Sequence, residues 1–86
     1  MYRSNLPDGV VIPDMLVSIV EDGKLDDQAK ATIEKWAVVT KDASSFLKGY
    51  WQKRIASNVT LCERYYIPEC AKLFSYVRVV MERTWK

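Results

Sequence analysis

The chain has 86 residues, of which 49% are hydrophobic, 28% charged and 12% aromatic, and it contains no His. That length holds one small domain with enough apolar bulk for a core; it excludes a multidomain enzyme, a low-complexity segment and imidazole chemistry. The formal charge of +2 hides an asymmetry: residues 1–43 carry five basic and eight acidic side chains, whereas residues 44–86 carry eight basic and three acidic.

Residues 1–12 read as a non-helical arm in which Leu6, Pro7, Asp8 and Gly9 carry turn chemistry and Val10, Val11 and Ile12 extend. Pro13 suits the first position of a helix, and Asp14 favours its positive end. Met15, Leu16, Ile19 and Val20 share one side, and Gly23 supplies a C-terminal cap, so 13–22 is predicted as a short amphipathic helix.

Asp26 and Asp27 mark the next start. At 100° per residue, Ala29, Ile33, Trp36, Ala37, Val39, Ala43, Phe46, Leu47, Tyr50, Trp51 and Ile55 fall within one half-circle. The spacing predicts a single helix over 27–57, about 46 Å long, although Asp42 could cap a second one. A break at Asn58, Val59 and Thr60 competes with an unbroken run to Tyr66, since Leu61 and Tyr65 keep phase. Pro68 then starts a helix over 68–85, with Cys70, Leu73, Phe74, Val77, Val80, Met81 and Trp85 in one stripe.

The expected fold is therefore all-α: a short, a long and a C-terminal helix in antiparallel packing, within a single domain spanning 1–86. The flanking helices are too short to cover the middle of the long one at Val39, Ala43 and Phe46. That exposure predicts a homodimer or a partner groove.

Cys62 and Cys70 lie eight residues apart. On one continuous helix they would stand about 12 Å apart, too far for a disulfide, so two free thiols in a reducing cytoplasm are expected. Metal binding is not expected without His or further Cys. Asn58, Val59 and Thr60 match a glycosylation sequon, taken as chance because residues 1–11 lack the apolar core of a signal peptide. No apolar run reaches the roughly 18–20 residues that span a bilayer, and no membrane partner is expected.

No catalytic constellation is present. His-based triads and dyads are impossible, and the three glycines are isolated from one another, with no phosphate-cradling loop. Non-enzymatic action without cofactor is expected. The richest segment is 46–54, where Phe46, Tyr50 and Trp51 interleave with Lys48, Lys53 and Arg54. Its simplest reading is core packing with solvated edges; partner contact comes next, and nucleic acid last. Arg54 projects into the apolar sector, which calls for snorkelling, an interface, or a mate such as Glu63 or Glu69. Tyr65 and Tyr66 project about 100° apart and cannot fully share one core face, so one of them is expected to be exposed. With Tyr76 they form a second candidate surface.

The partner-binding candidates are thus Phe46, Tyr50, Trp51, Lys53, Arg54, Tyr65, Tyr66 and Tyr76. The expected function is that of a small interaction protein that binds a larger protein and acts sterically, as an inhibitor or adaptor. Small proteins of phages and mobile elements share this profile. The alternatives are a dimeric nucleic-acid-binding regulator using the basic half, which no helix-turn-helix spacing supports, and a structural assembly subunit.

Overall fold

The computed structural model describes residues 6–86, so the first five residues of the expected arm lie outside the described residues. A 3-10 turn (Asp14–Leu16) leads into four α-helices: α1 (Val17–Asp22), α2 (Asp27–Lys41), α3 (Ser45–Arg64) and α4 (Pro68–Thr84). The all-α class is as the sequence indicates, and the described residues contain no strand. None of these helices is long and apolar enough to cross a membrane.

Local chemistry sets most boundaries. Gly23 ends α1 in the left-handed region at φ 70°, with its N–H donating to the Ile19 carbonyl at 3.0 Å. The Asp26 carboxylate accepts from the Ala29 N–H at 2.8 Å and opens α2. Pro68 occupies the first turn of α4, where its missing N–H has no intrahelical partner to lose.

The single rod expected over 27–57 is two helices. Ser44 adopts extended backbone, and its hydroxyl accepts from the Leu47 N–H at 3.2 Å, so Ser44 rather than Asp42 caps α3. A 46 Å rod would overrun the molecule, whose longest dimension is 33 Å. The shared phase on either side of residues 42–44 does not mean shared direction, because three non-helical residues free the axis to turn. The apolar arc is therefore dispersed: Ala29, Ile33, Trp36, Ala37 and Ile55 are buried, whereas Val39, Phe46, Leu47 and Tyr50 are exposed. At the second suspected break, α3 runs unbroken through Asn58 to Arg64.

The core is centred on α4, which buries Cys70, Leu73, Phe74, Val77, Val80 and Met81, the stripe expected from the sequence. It packs closely on α3, which contributes Ile55, Val59 and Cys62, and on α2. Leu16, in the 3-10 turn, and Ile19 and Val20, in α1, complete the cluster. The C-terminal end is pinned as well: the Trp85 indole N–H donates to the Ala37 carbonyl at 2.8 Å.

Asn58 attaches the arm. Its amide oxygen accepts from the Val11 N–H at 3.1 Å, and its amide nitrogen donates to the Val11 carbonyl at 2.7 Å. One side chain thereby satisfies both backbone groups of an extended residue, while Leu6, Val10 and Ile12 pack on the core. Because this amide is buried and doubly bonded, it is not presented as a glycosylation acceptor. Asn58→Leu keeps a similar volume but leaves both Val11 groups unpaired. It is expected to cost about 1–3 kcal/mol and to speed amide exchange at Val11, measured by denaturant unfolding and hydrogen exchange.

The expectation of two free thiols is overturned: Cys62 and Cys70 form a disulfide, with their Cα atoms 5.9 Å apart. The 12 Å spacing presumed one helix, whereas the chain reverses between them. Tyr66 donates to the Glu63 carbonyl at 3.2 Å and Ile67 to the Cys62 carbonyl at 2.9 Å, the paired bonds of a Schellman turn. Tyr66 takes the left-handed position of that turn at φ 59°, a place that glycine occupies at lower steric cost.

Candidate interaction surface

The opening of α3 meets the core only through Trp51. Ser44 caps it, and the Lys48 ammonium donates to the Lys41 carbonyl at 3.0 Å, tying it to the negative end of α2. Yet none of residues 45–54 is buried, although they include Phe46, Leu47, Tyr50 and Trp51. The core-packing reading of this segment therefore fails for Phe46, Leu47 and Tyr50 and holds in part for Trp51, which packs against the core from its edge. Phe46 is 85% exposed. The buried residues of α3 begin only at Ile55, where the helix meets α4.

Tyr50 and Trp51 are nevertheless held in place. Trp51 is half-buried and meets the buried Trp36 edge-on, with ring centroids 6.1 Å apart. Tyr50 meets Trp51 edge-on at 5.1 Å. The Arg54 guanidinium lies 5.4 Å from the Tyr50 ring centroid, within cation–π range. Arg54 is thus exposed and stacked on an aromatic face; Glu63 and Glu69 do not pair with it. Phe46, Tyr50 and Lys53, with Ser45 and Gly49, line a shallow groove of about 320 Å³. Five of the sequence candidates, Phe46, Tyr50, Trp51, Lys53 and Arg54, therefore share this end of α3.

The other three lie elsewhere. Tyr65 and Tyr66 sit at the far end of α3, about 30 Å along a 20-residue helix. Both are exposed, Tyr66 at 90%, and Tyr66 borders a second hollow of about 520 Å³ with Cys62, Glu63, Ile67, Pro68 and Ala71. Tyr76 is on α4, and its hydroxyl donates to a Glu34 carboxylate oxygen at 2.9 Å. Burial, and then the bond to Glu34 and its charge, raise the Tyr76 pKa and hold the phenol neutral as a donor. Arg83 approaches the same carboxylate at 3.8 Å, so this cluster fastens α4 to α2 and is structural.

Leu47 and Gly49 belong to the exposed face but escaped notice as site residues. The available signal was Ser44, whose small polar side chain three residues before Leu47 is a cap candidate and would have split the rod. Val38 and Val39 are likewise exposed at the end of α2, Val39 as the sequence indicates. Among the described residues there is no group of three or more His, Cys, Asp or Glu side chains that could hold a metal. No family model, curated protein or solved structure matches this chain.

Proposed function

We propose that this chain is a small non-catalytic interaction protein that docks on a larger protein through the first half of α3 and acts sterically, as an inhibitor or adaptor. One observation carries the reading: over ten consecutive helical residues no side chain is fully buried, and Phe46, Leu47 and Tyr50 are exposed, with Trp51 half-buried beside them. Exposed apolar surface of this kind is costly in water unless a partner covers it. Aromatic side chains flanked by Arg are also the residue types that dominate binding energy at interfaces. Trp36 and Trp51 preset the Tyr50 edge, so docking there would spend little side-chain entropy.

The homodimer suggested by the sequence used the uncovered middle of one long helix; α2 and α3 divide that stretch, and Val39 and Phe46 remain exposed on either side of the break. Two copies meeting through this face would also bring Lys53 and Arg54 toward a second basic patch, so the reading favours a different protein as partner. A cytoplasmic location is part of the proposal. There the Cys62–Cys70 bridge would face reductants, and the two backbone bonds of the Schellman turn would keep the corner if it opened.

Phe46→Asp tests the docking face because the side chain contributes nothing to the core. The parent chain, purified from its native cell, is expected to bring down one protein in stoichiometric amount. The variant should melt at the same temperature and lose that protein by at least about tenfold. Equal recovery by both chains, or a partner that nuclease removes, would refute the reading.

A further inference from the structure

We infer that the groove over Gly49 receives an apolar side chain carried on an acidic segment of the partner protein, an inference that rests on the docking reading above. Phe46, Gly49, Tyr50 and Lys53 stand at i, i+3, i+4 and i+7, on one face of α3. A Cβ added at Gly49 would meet nothing within 4 Å. The backbone there is helical and needs no glycine, and glycine weakens a helix interior. What the missing side chain leaves is an open floor between Phe46 and Tyr50, with room for an incoming apolar group.

Charge identifies the kind of chain that carries that group. From Ala43 to Cys62 the sequence has no Asp or Glu, while Lys48, Lys53 and Arg54 supply three positive charges. None of the three is in an ion pair among the described residues. Lys48 is occupied at the Lys41 carbonyl and Arg54 is stacked on Tyr50, which leaves the Lys53 ammonium at the rim of the groove and Arg54 beside it. Carboxylates flanking the apolar anchor would meet these two cations, of which Arg54 is already oriented on Tyr50 and pays little to pair. A narrow peptide segment suits the site better than a broad polyanion. Residues 1–43 carry five basic and eight acidic side chains, a sum of −3, and a bilayer or a duplex would also encounter that half.

The test is selection of peptides from a random display library on the immobilised full-length chain, followed by titration of the winners against the parent and two variants. Gly49→Leu fills the groove with a good helix former and is expected to melt no lower than the parent. The expected winners combine Asp or Glu with one aromatic or branched aliphatic residue. Their affinity should fall at least about tenfold in Gly49→Leu and by a similar factor in the Lys53→Glu/Arg54→Glu double variant. Winners without acidic bias that still require the open groove would overturn the acidic partner while leaving the docking face standing. Peptides that bind Gly49→Leu as well as the parent would sink both. Recovery of no peptide, with phosphatidylserine vesicles or duplex DNA bound instead, would overturn the inference in favour of those surfaces.

Discussion

Trp36→Ala is expected to destabilise the chain by about 3–5 kcal/mol, the largest effect of any single substitution considered. Trp36 is buried in α2, and its ring touches two others: Trp51 of α3 at 6.1 Å and Trp85, just after α4, at 5.7 Å. It is where three helices meet, so truncation removes both its transferred area and the support of its neighbours. A domain of this size has roughly 4–13 kcal/mol in total at typical values per residue. The loss is therefore a large share of the whole, and a melting point lower by about 12–40 °C follows. Circular dichroism during urea and thermal unfolding measures it directly. A cost below about 1 kcal/mol would place the ring at the surface instead. A smaller loss in Trp36→Phe than in Trp36→Ala should accompany the main effect, because the smaller ring preserves part of the cluster.

Breaking the Cys62–Cys70 bridge is the second large effect. The bond closes a short loop around the α3–α4 corner, and its main action is on the unfolded chain, whose freedom it restricts. With about nine residues in the loop, the chain-entropy relation gives about 2.5 kcal/mol, or a fall of about 10–20 °C in melting temperature. Scanning calorimetry with and without a phosphine reductant reads this. The folded spectrum should survive reduction, because the Tyr66 and Ile67 N–H bonds hold the turn without sulfur. An identical melting curve in both conditions would mean that the bridge does not form in solution. The state of the pair in the native cell, trapped by acid quench and alkylation, also reports its compartment. Free thiols in the cell would point to a reducing compartment such as the proposed cytoplasm, and a bridge kept intact there to an oxidising one.

The two effects expose different relations between sequence and structure. Trp36 was legible as a core residue because a helix repeats its buried face every three to four positions, and α2 obeys that rule from Ala29 to Ala37. The bridge was not legible. Separation along the chain gave eight residues, but only the reversal after Arg64 turned that into 5.9 Å. The candidate surface falls between these cases. The residues were found, since Phe46, Tyr50, Trp51, Lys53 and Arg54 do cluster. The exposure of Phe46 was expected, whereas that of Leu47 and Tyr50 was not, because periodicity says which side chains share a face and is silent about what stands opposite it. Tyr65 and Tyr66 do belong to an exposed corner, whereas Tyr76 serves to fasten α4 to α2.

What this sequence determined alone was the helical class, the start of α4 at Pro68 with its buried stripe, and the caps at Gly23 and Asp26. All of these depend on residues within one or two turns of each other, where backbone sterics and cap hydrogen bonds decide. The tertiary structure decided what depends on distant partners: the change of direction after Lys41, the grip of Asn58 on Val11, the joining of Cys62 to Cys70, and the uncovered start of α3. Each is a contact, or a missing one, between segments whose relative placement no local pattern encodes.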